Sequence, residues 1–310
     1  MNFIEPQNQT KLYGLEKFIS ELFKLYENNN LPTKILLSGQ KGLGKSTLAY
    51  HFINYVLSKD EEFKYDIKSF EINPDNQSFK TILNKSNINL SVVDVDPEKK
   101  TIDIDQIRKL ILSLNKSSFN SKPRFVLIDN IEFLNANSIN ALLKTIEEPN
   151  LNIYFILINN NKKILPTLIS RCINFKISLS NKESLEIANQ LLNGELFEKI
   201  NKDIINYYIS PGNIYNLVKV GIIYNYDLHD FDLKKLIKIL IKENHYKSNS
   251  LNKYIIFDLI EFYFRKIDFS FSQNIYEKYL YFLKRISETK KFNLDEESLF
   301  LEFQEKILNE

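Results

Sequence analysis

Residues 39–47, GQKGLGKST, carry the spacing G-x-x-x-x-G-K-[ST], and three of the chain's seven glycines (Gly39, Gly42 and Gly44) fall inside them. A loop that wraps a polyphosphate must turn successive backbone N–H groups inward, and glycine permits the backbone angles and the close approach that this needs. Lys45 then stands where an ammonium reaches the β- and γ-phosphates. Ser46 offers its hydroxyl to Mg²⁺, and the N-terminus of the following helix adds partial positive charge. With Leu43 and Thr47 completing the loop, the expected ligand is ATP or ADP with Mg²⁺.

The flanking residues supply the elements that such a loop requires. Ile35, Leu36 and Leu37 read as a short strand before it; Leu48, Ala49, Phe52, Ile53 and Val56 recur at helical spacing after it. A second strand, in RFVLIDN at 124–130, ends in Asp129, the position from which a carboxylate holds Mg²⁺ at the edge of a parallel sheet. The next segment, NANSINALLKTIEEP, places Ile139, Leu142, Leu143 and Ile146 on one helical stripe, and Pro149 stops it. A further apolar strand from Ile153 to Ile158 ends in Asn159, Asn160 and Asn161, and Ser170-Arg171-Cys172 follows.

NALLKTIEEP, an apolar strand with a polar end, and SRC together resemble the AAA+ clamp-loader family of bacterial DNA polymerase III, nearest its delta prime members. LYGLEKF at 12–18, DIDQIRKL at 103–110 and FNLDEES at 292–298 extend the resemblance over most of the chain. It implies an α/β P-loop AAA+ domain with a parallel sheet flanked by helices, then a small helical lid and an all-α C-terminal collar. The implied boundaries are 1–178, 179–225 and 226–310. By the same resemblance Gly14 lies near the adenine, Asn159 (or its neighbour Asn160) is the sensor of the γ-phosphate, and Arg171 is an arginine finger offered to a neighbouring subunit's ATP. Only five of the 41 basic residues are arginines, which singles out Arg171, because a planar fork binds phosphate oxygens in a way lysine does not. The implied partners are the other clamp-loader subunits, gamma/tau and delta, in a hetero-oligomeric ring, with the sliding clamp and primed DNA reached through the complex.

Departures from the family pattern carry information too. Motor members have Glu directly after the Asp of the second strand, where it orients the attacking water; this chain has Asn130, and an amide does not act as a base. Glu132, past the strand end, is expected to face elsewhere. The lid segment SPGNIYNL at 210–217 has Asn213 where Arg often follows the glycine. Nucleotide binding with little or no hydrolysis is therefore expected, as in the members that act as stators. Residues 58–123 contain no cysteine, so the four-cysteine zinc site of many relatives is not expected; the interval reads as polar and irregular with one strand at Ser91–Val95. An ATP-hydrolysing gamma/tau-like motor is the alternative, and an unrelated P-loop kinase or helicase a more distant one.

Composition agrees with an intracellular, multi-domain protein. The chain's 310 residues are 44% apolar, enough for two or three cores. Neither an N-terminal signal pattern nor an apolar run of about 18 residues occurs, so a soluble cytoplasmic protein with no membrane partner is expected. The lone Cys172 excludes a disulfide framework and reads as a small buried residue. A net charge of +2 does not mark the whole chain as a polyanion binder. Lys234, Lys235, Lys238 and Lys242 read as the solvated face of an amphipathic helix. Beyond Ile177 the pattern turns helical, with helices expected at 181–193 and 198–208. The aromatic stretches at 254–264 and 275–283 read as core or helix-helix interface.

Overall fold

Five short apolar runs become the strands of one parallel sheet: β1 (Lys34–Ser38), β2 (Leu90–Val93), β3 (Arg124–Ile128), β4 (Ile153–Asn159) and β5 (Ile173–Lys176). Their order is β2-β3-β4-β1-β5, and every pairing is parallel. In this computed structural model the described residues are 5–96, 99, 101–116, 120–147, 152–205, 209–248, 250–266, 273–292 and 294–309. They fall into two compact units, 2–187 and 188–310. Pro149, expected to end its helix, lies outside the described residues.

Parallel strands need crossover connections, and helices on both faces bury the sheet. The two-residue period of the strands sorts their side chains accordingly. Ile35, Leu37, Phe125, Leu127, Ile156 and Ile158 join one core with Ile19 and Leu22 of α1 (Glu16–Glu27) and Phe52 and Ile53 of α2 (Lys45–Leu57). Leu36, Val126, Ile128, Phe155 and Leu157 join the other, with Ile107 and Leu110 of α4 (Ile104–Leu114) and Leu142 and Ile146 of α5 (Ala136–Glu147). Burying a large apolar side chain such as Phe52, Phe125 or Phe155 contributes roughly 1.5–3 kcal/mol each. Asp103 and Gln106 start α4 with a capping box, each side chain accepting the other's backbone N–H.

The interval 58–123 is less irregular than its composition suggests. It contains α3 (Gln77–Leu83), whose first turn is capped by Asn76 accepting from the Phe79 N–H at 2.7 Å, and β2 begins one residue earlier and ends two earlier than expected. The short α6 (Pro166–Ile169) precedes β5.

The second unit, 188–310, is helical among its described residues; α7 (Asn181–Leu191) runs into it. In place of one helix over 198–208 the chain makes α8 (Leu196–Lys199) and a 3₁₀ turn at Lys202–Ile204, and residues 206–208 lie outside the described ones. The reason is local: Asn201 accepts from the Asp203 N–H and restarts the turn. Ser210 caps α9 (Pro211–Ile223), with Pro211 at its first position. Then follow α10 (Leu233–Lys242), α11 (Ser250–Lys266), α12 (Gln273–Phe292) and α13 (Glu296–Phe303). The aromatic stretches supply core: Phe264, Phe282 and Phe303 are fully buried, their ring centroids 5.3–5.9 Å apart. Lys234, Lys235, Lys238 and Lys242 form the exposed face of α10, while Leu236, Ile237 and Leu240 are buried. No helix among the described residues is long and apolar enough to cross a membrane.

Candidate nucleotide-binding site

The sheet order brings the carboxyl ends of β1, β4, β3 and β2 side by side, the edge at which parallel α/β sheets take their ligands. The loop after β1 turns on three glycines with positive φ: Gly39 at 154°, Gly42 at 85° and Gly44 at 83°. At Gly39 a Cβ would lie 2.3 Å from the carbonyl oxygen of Ile177, so no other residue fits without moving the backbone. Leu43 is buried beneath the loop, and Thr47 is half-buried in the first turn of α2.

Lys45 opens α2 and is only 3% exposed. Its Nζ donates to the carbonyls of Gly39 at 2.9 Å and Gln40 at 2.7 Å. Burial brings its pKa down to about 8, against the opposing pull of the Asp129 and Glu132 carboxylates. A desolvated ammonium held only by neutral carbonyls among its hydrogen-bond partners gains from an arriving phosphate.

Ser46 Oγ donates to Asp129 Oδ2, so the loop and the end of β3 meet through these two side chains. The Asp129 N–H donates to the Val93 carbonyl at 2.9 Å, which continues the β2–β3 ladder. Burial raises the Asp129 carboxyl above the usual range, while the Ser46 hydroxyl and the Asn130 N–H oppose that shift. A hydroxyl and a carboxylate in contact are the hard oxygen donors that suit Mg²⁺, and a divalent cation there would offset the cost of the buried charge.

Past Asp129 the strand ends are tied by amides. Asn130 has φ 54°, in the left-handed region that asparagine tolerates. Its Nδ2 donates to Asp94 Oδ1 at 2.7 Å, and its Oδ1 accepts from Asn160 Nδ2 at 2.8 Å. Glu132 does not face elsewhere: its Oε2 accepts from the Asn160 N–H at 3.3 Å, and its charge reaches Lys45. The 3₁₀ turn at Ile131–Phe133 redirects the chain after β3 and accounts for this. Asn159 spends its side chain on its own turn, donating to the Lys162 carbonyl at 2.9 Å and accepting from the Lys162 N–H at 3.1 Å. Asp94 was not legible as a site residue, because it sits in a polar run and only strand pairing brings it beside Asn130.

Arg171 follows α6. Its Nε and Nη2 donate to Glu147 Oε1 of α5 at 3.0 and 2.5 Å, and its Nη1 donates to the Thr167 carbonyl at 2.8 Å. Cys172 is partly buried, and burial pushes its thiol up to about 11, which disfavours the thiolate at neutral pH. Gly14 has φ 69° and donates its N–H to Glu16 Oε1 at 2.9 Å, and Asn213 lies in the first turn of α9 in the second unit.

A parallel sheet with this strand order, a glycine loop between β1 and α2 and an acid after β3 define an AAA+ type α/β fold. A family model described as "DNA polymerase III, delta subunit" matches residues 14–181, and the chain belongs to that family. It is 32% identical over 181 residues to the DNA polymerase III subunit gamma of Buchnera aphidicola subsp. Acyrthosiphon pisum, covering 58% of this chain and 48% of that one. To the subunit delta' of B. aphidicola subsp. Baizongia pistaciae it is 32% identical over 162 residues, covering 48% of this chain and 45% of the relative. To the delta' of B. aphidicola subsp. Schizaphis graminum it is 26% identical over 254 residues, covering 74% and 71%. The chain thus spans about half the length of the gamma relative.

Proposed function

We propose that the chain is a delta prime-like subunit of the DNA polymerase III clamp loader, which helps load the sliding clamp onto primed DNA. It binds ATP or ADP with Mg²⁺ through Gly39, Gly42, Leu43, Gly44, Lys45, Ser46 and Thr47, with Ser46 and Asp129 on the cation side. Asn159, or its neighbour Asn160, senses the γ-phosphate in this reading, and Arg171 serves the ATP of an adjoining subunit. Residues 1–178 form the nucleotide-binding domain, 179–225 the lid and 226–310 the collar that meets gamma/tau and delta subunits. The setting is cytoplasmic.

The observation that carries the nucleotide reading is Lys45, a buried ammonium bonded to loop carbonyls one residue from a Ser46–Asp129 pair. Mg²⁺ would screen the phosphate charge; Ser46 would turn a lone pair toward it, and Lys45 would exchange its carbonyl partners for phosphate oxygens. Asn130 supports a stator over a motor, since it accepts and donates hydrogen bonds and takes no proton from water. The test is copurification from native extract: recovery with DNA polymerase III subunits supports the assignment, and their absence from a stable, folded bait rejects it.

A gamma/tau-like motor is the second reading. The inward-facing Glu132 favours it, because a carboxylate close to the loop is the group that orients water in an ATPase.

A further inference from the structure

We propose that Asp94 is a positioning residue that holds position 130 as an amide. The chain Asp94–Asn130–Asn160 then clamps the ends of three adjoining strands where a motor would orient its attacking water. This deepens, and rests on, the nucleotide-binding reading above.

The argument starts from what each group is able to do. Asp94 follows β2, Asn130 follows β3 and Asn160 follows β4, three neighbours in the sheet. Asn130 turns its donor end toward β2, Nδ2 donating to Asp94 Oδ1 at 2.7 Å. Its Oδ1 then points the other way and accepts from Asn160 Nδ2 at 2.8 Å. Asp94 Oδ1 also accepts from the Val95 N–H at 2.6 Å, which anchors the carboxylate to its own turn. The Asn130 N–H is committed to Asp129 Oδ1 at 2.7 Å. Both ends of the Asn130 side chain and its backbone donor are therefore assigned.

Glutamate at 130 would meet two obstacles. The backbone there has φ 54°, which asparagine adopts far more readily than glutamate. The glutamate side chain would also lack the donor that Asp94 Oδ1 now accepts from Asn130 Nδ2 at 2.7 Å. The Asn160 donor, by contrast, suits a carboxylate as well as it suits an amide. Asp94 is thus the partner that excludes the acid, and exchanging amide and acid between 94 and 130 restores a donor-acceptor pair.

The test is a set of three variants of the full chain: Asn130→Glu, Asp94→Asn, and both together. Thermal denaturation is expected to show a drop of several degrees for Asn130→Glu, little change for Asp94→Asn, whose amide oxygen still accepts from Asn130 Nδ2, and recovery of most of the Asn130→Glu loss in the pair. Phosphate release from MgATP is the second readout. Water oxygen bonds to the γ-phosphorus, the bond to the β–γ bridging oxygen breaks, and the water proton passes to the carboxylate at 130, giving ADP and phosphate. The paired variant is expected to release phosphate at least ten-fold faster than Asn130→Glu alone. Additive losses in Tm, or turnover in the pair no higher than in Asn130→Glu alone, would overturn the proposal. Calorimetric MgATP binding by the unaltered chain is read separately: no binding rejects the nucleotide reading and leaves the Tm cycle to judge the clamp.

Discussion

Arg171 and Glu147, 24 residues apart in the chain, share one carboxylate oxygen through two guanidinium nitrogens, at 3.0 and 2.5 Å. This pair joins the NALLKTIEEP helix to the SRC turn, so two segments that are separate in sequence form one surface. With Nη1 also held by the Thr167 carbonyl, each guanidinium nitrogen has one partner among the described residues. Of the five N–H donors of an arginine, two on the outer nitrogens remain available to an acceptor from outside. Arg171 is thus held by its own chain while keeping donors for a further acceptor.

If Arg171 serves a neighbour's ATP, Arg171→Ala should leave the fold intact, since an exposed pair is worth only ~0.2–1 kcal/mol. ATPase of a reconstituted loader, with clamp and primed DNA present, should fall. A trans-acting finger contributes roughly 10³–10⁵ in rate at its own site, so the loss in a complex with several sites should be partial. Arg171→Lys should rescue poorly because the fork is lost. Full activity in complexes shown to contain the Arg171→Ala subunit would return this residue to an ordinary surface role.

Lys45→Ala should weaken MgATP or MgADP binding by roughly 1.5–3 kcal/mol, the range for a hydrogen bond to a charged group. Isothermal calorimetry on the isolated chain measures this directly. The unaltered chain failing to bind millimolar nucleotide would mark the loop as a relic.

Steady-state ATP hydrolysis by the unaltered chain should be negligible, because position 130 is an amide tied to Asp94 and Asn160. Robust phosphate release that disappears with both Lys45→Ala and Glu132→Gln would favour the motor reading and name Glu132 as its carboxylate.

His51 should make the first unit acid-sensitive. It is fully buried on α2, 3.0 Å from the Tyr65 hydroxyl through Nδ1, and burial lowers its pKa from 6.5 to about 4. Below about 6.5 the unfolded chain takes up a proton that the folded chain resists until about 4. Stability is therefore full above the unfolded value and lost as pH falls through that window, by roughly 3 kcal/mol at most. Urea midpoints at pH 7.5, 6 and 5 should fall less steeply for His51→Gln than for the unaltered chain. Parallel slopes would show that His51 does not contribute.

What the sequence alone determined is what neighbours along the chain control. Glycines at 39, 42 and 44 set the loop because its backbone angles are local, and alternation sent Ile35 and Leu37 to one side of the sheet and Leu36 to the other. Asp129 was legible because a strand end follows directly from an apolar run. Tertiary structure decided the rest. Asp94 stands beside Asn130 only because β2 pairs with β3, a contact between residues 36 apart that nothing local encodes. Glu132 faces the site because a 3₁₀ turn after β3 reverses the direction that a count of residues past the strand suggests. Glu147 holds Arg171 because the fold brings the last turn of α5 to the turn that follows α6. Side-chain chemistry can be read from spacing when the backbone between the residues is regular; across strands it is the order of the sheet that chooses partners.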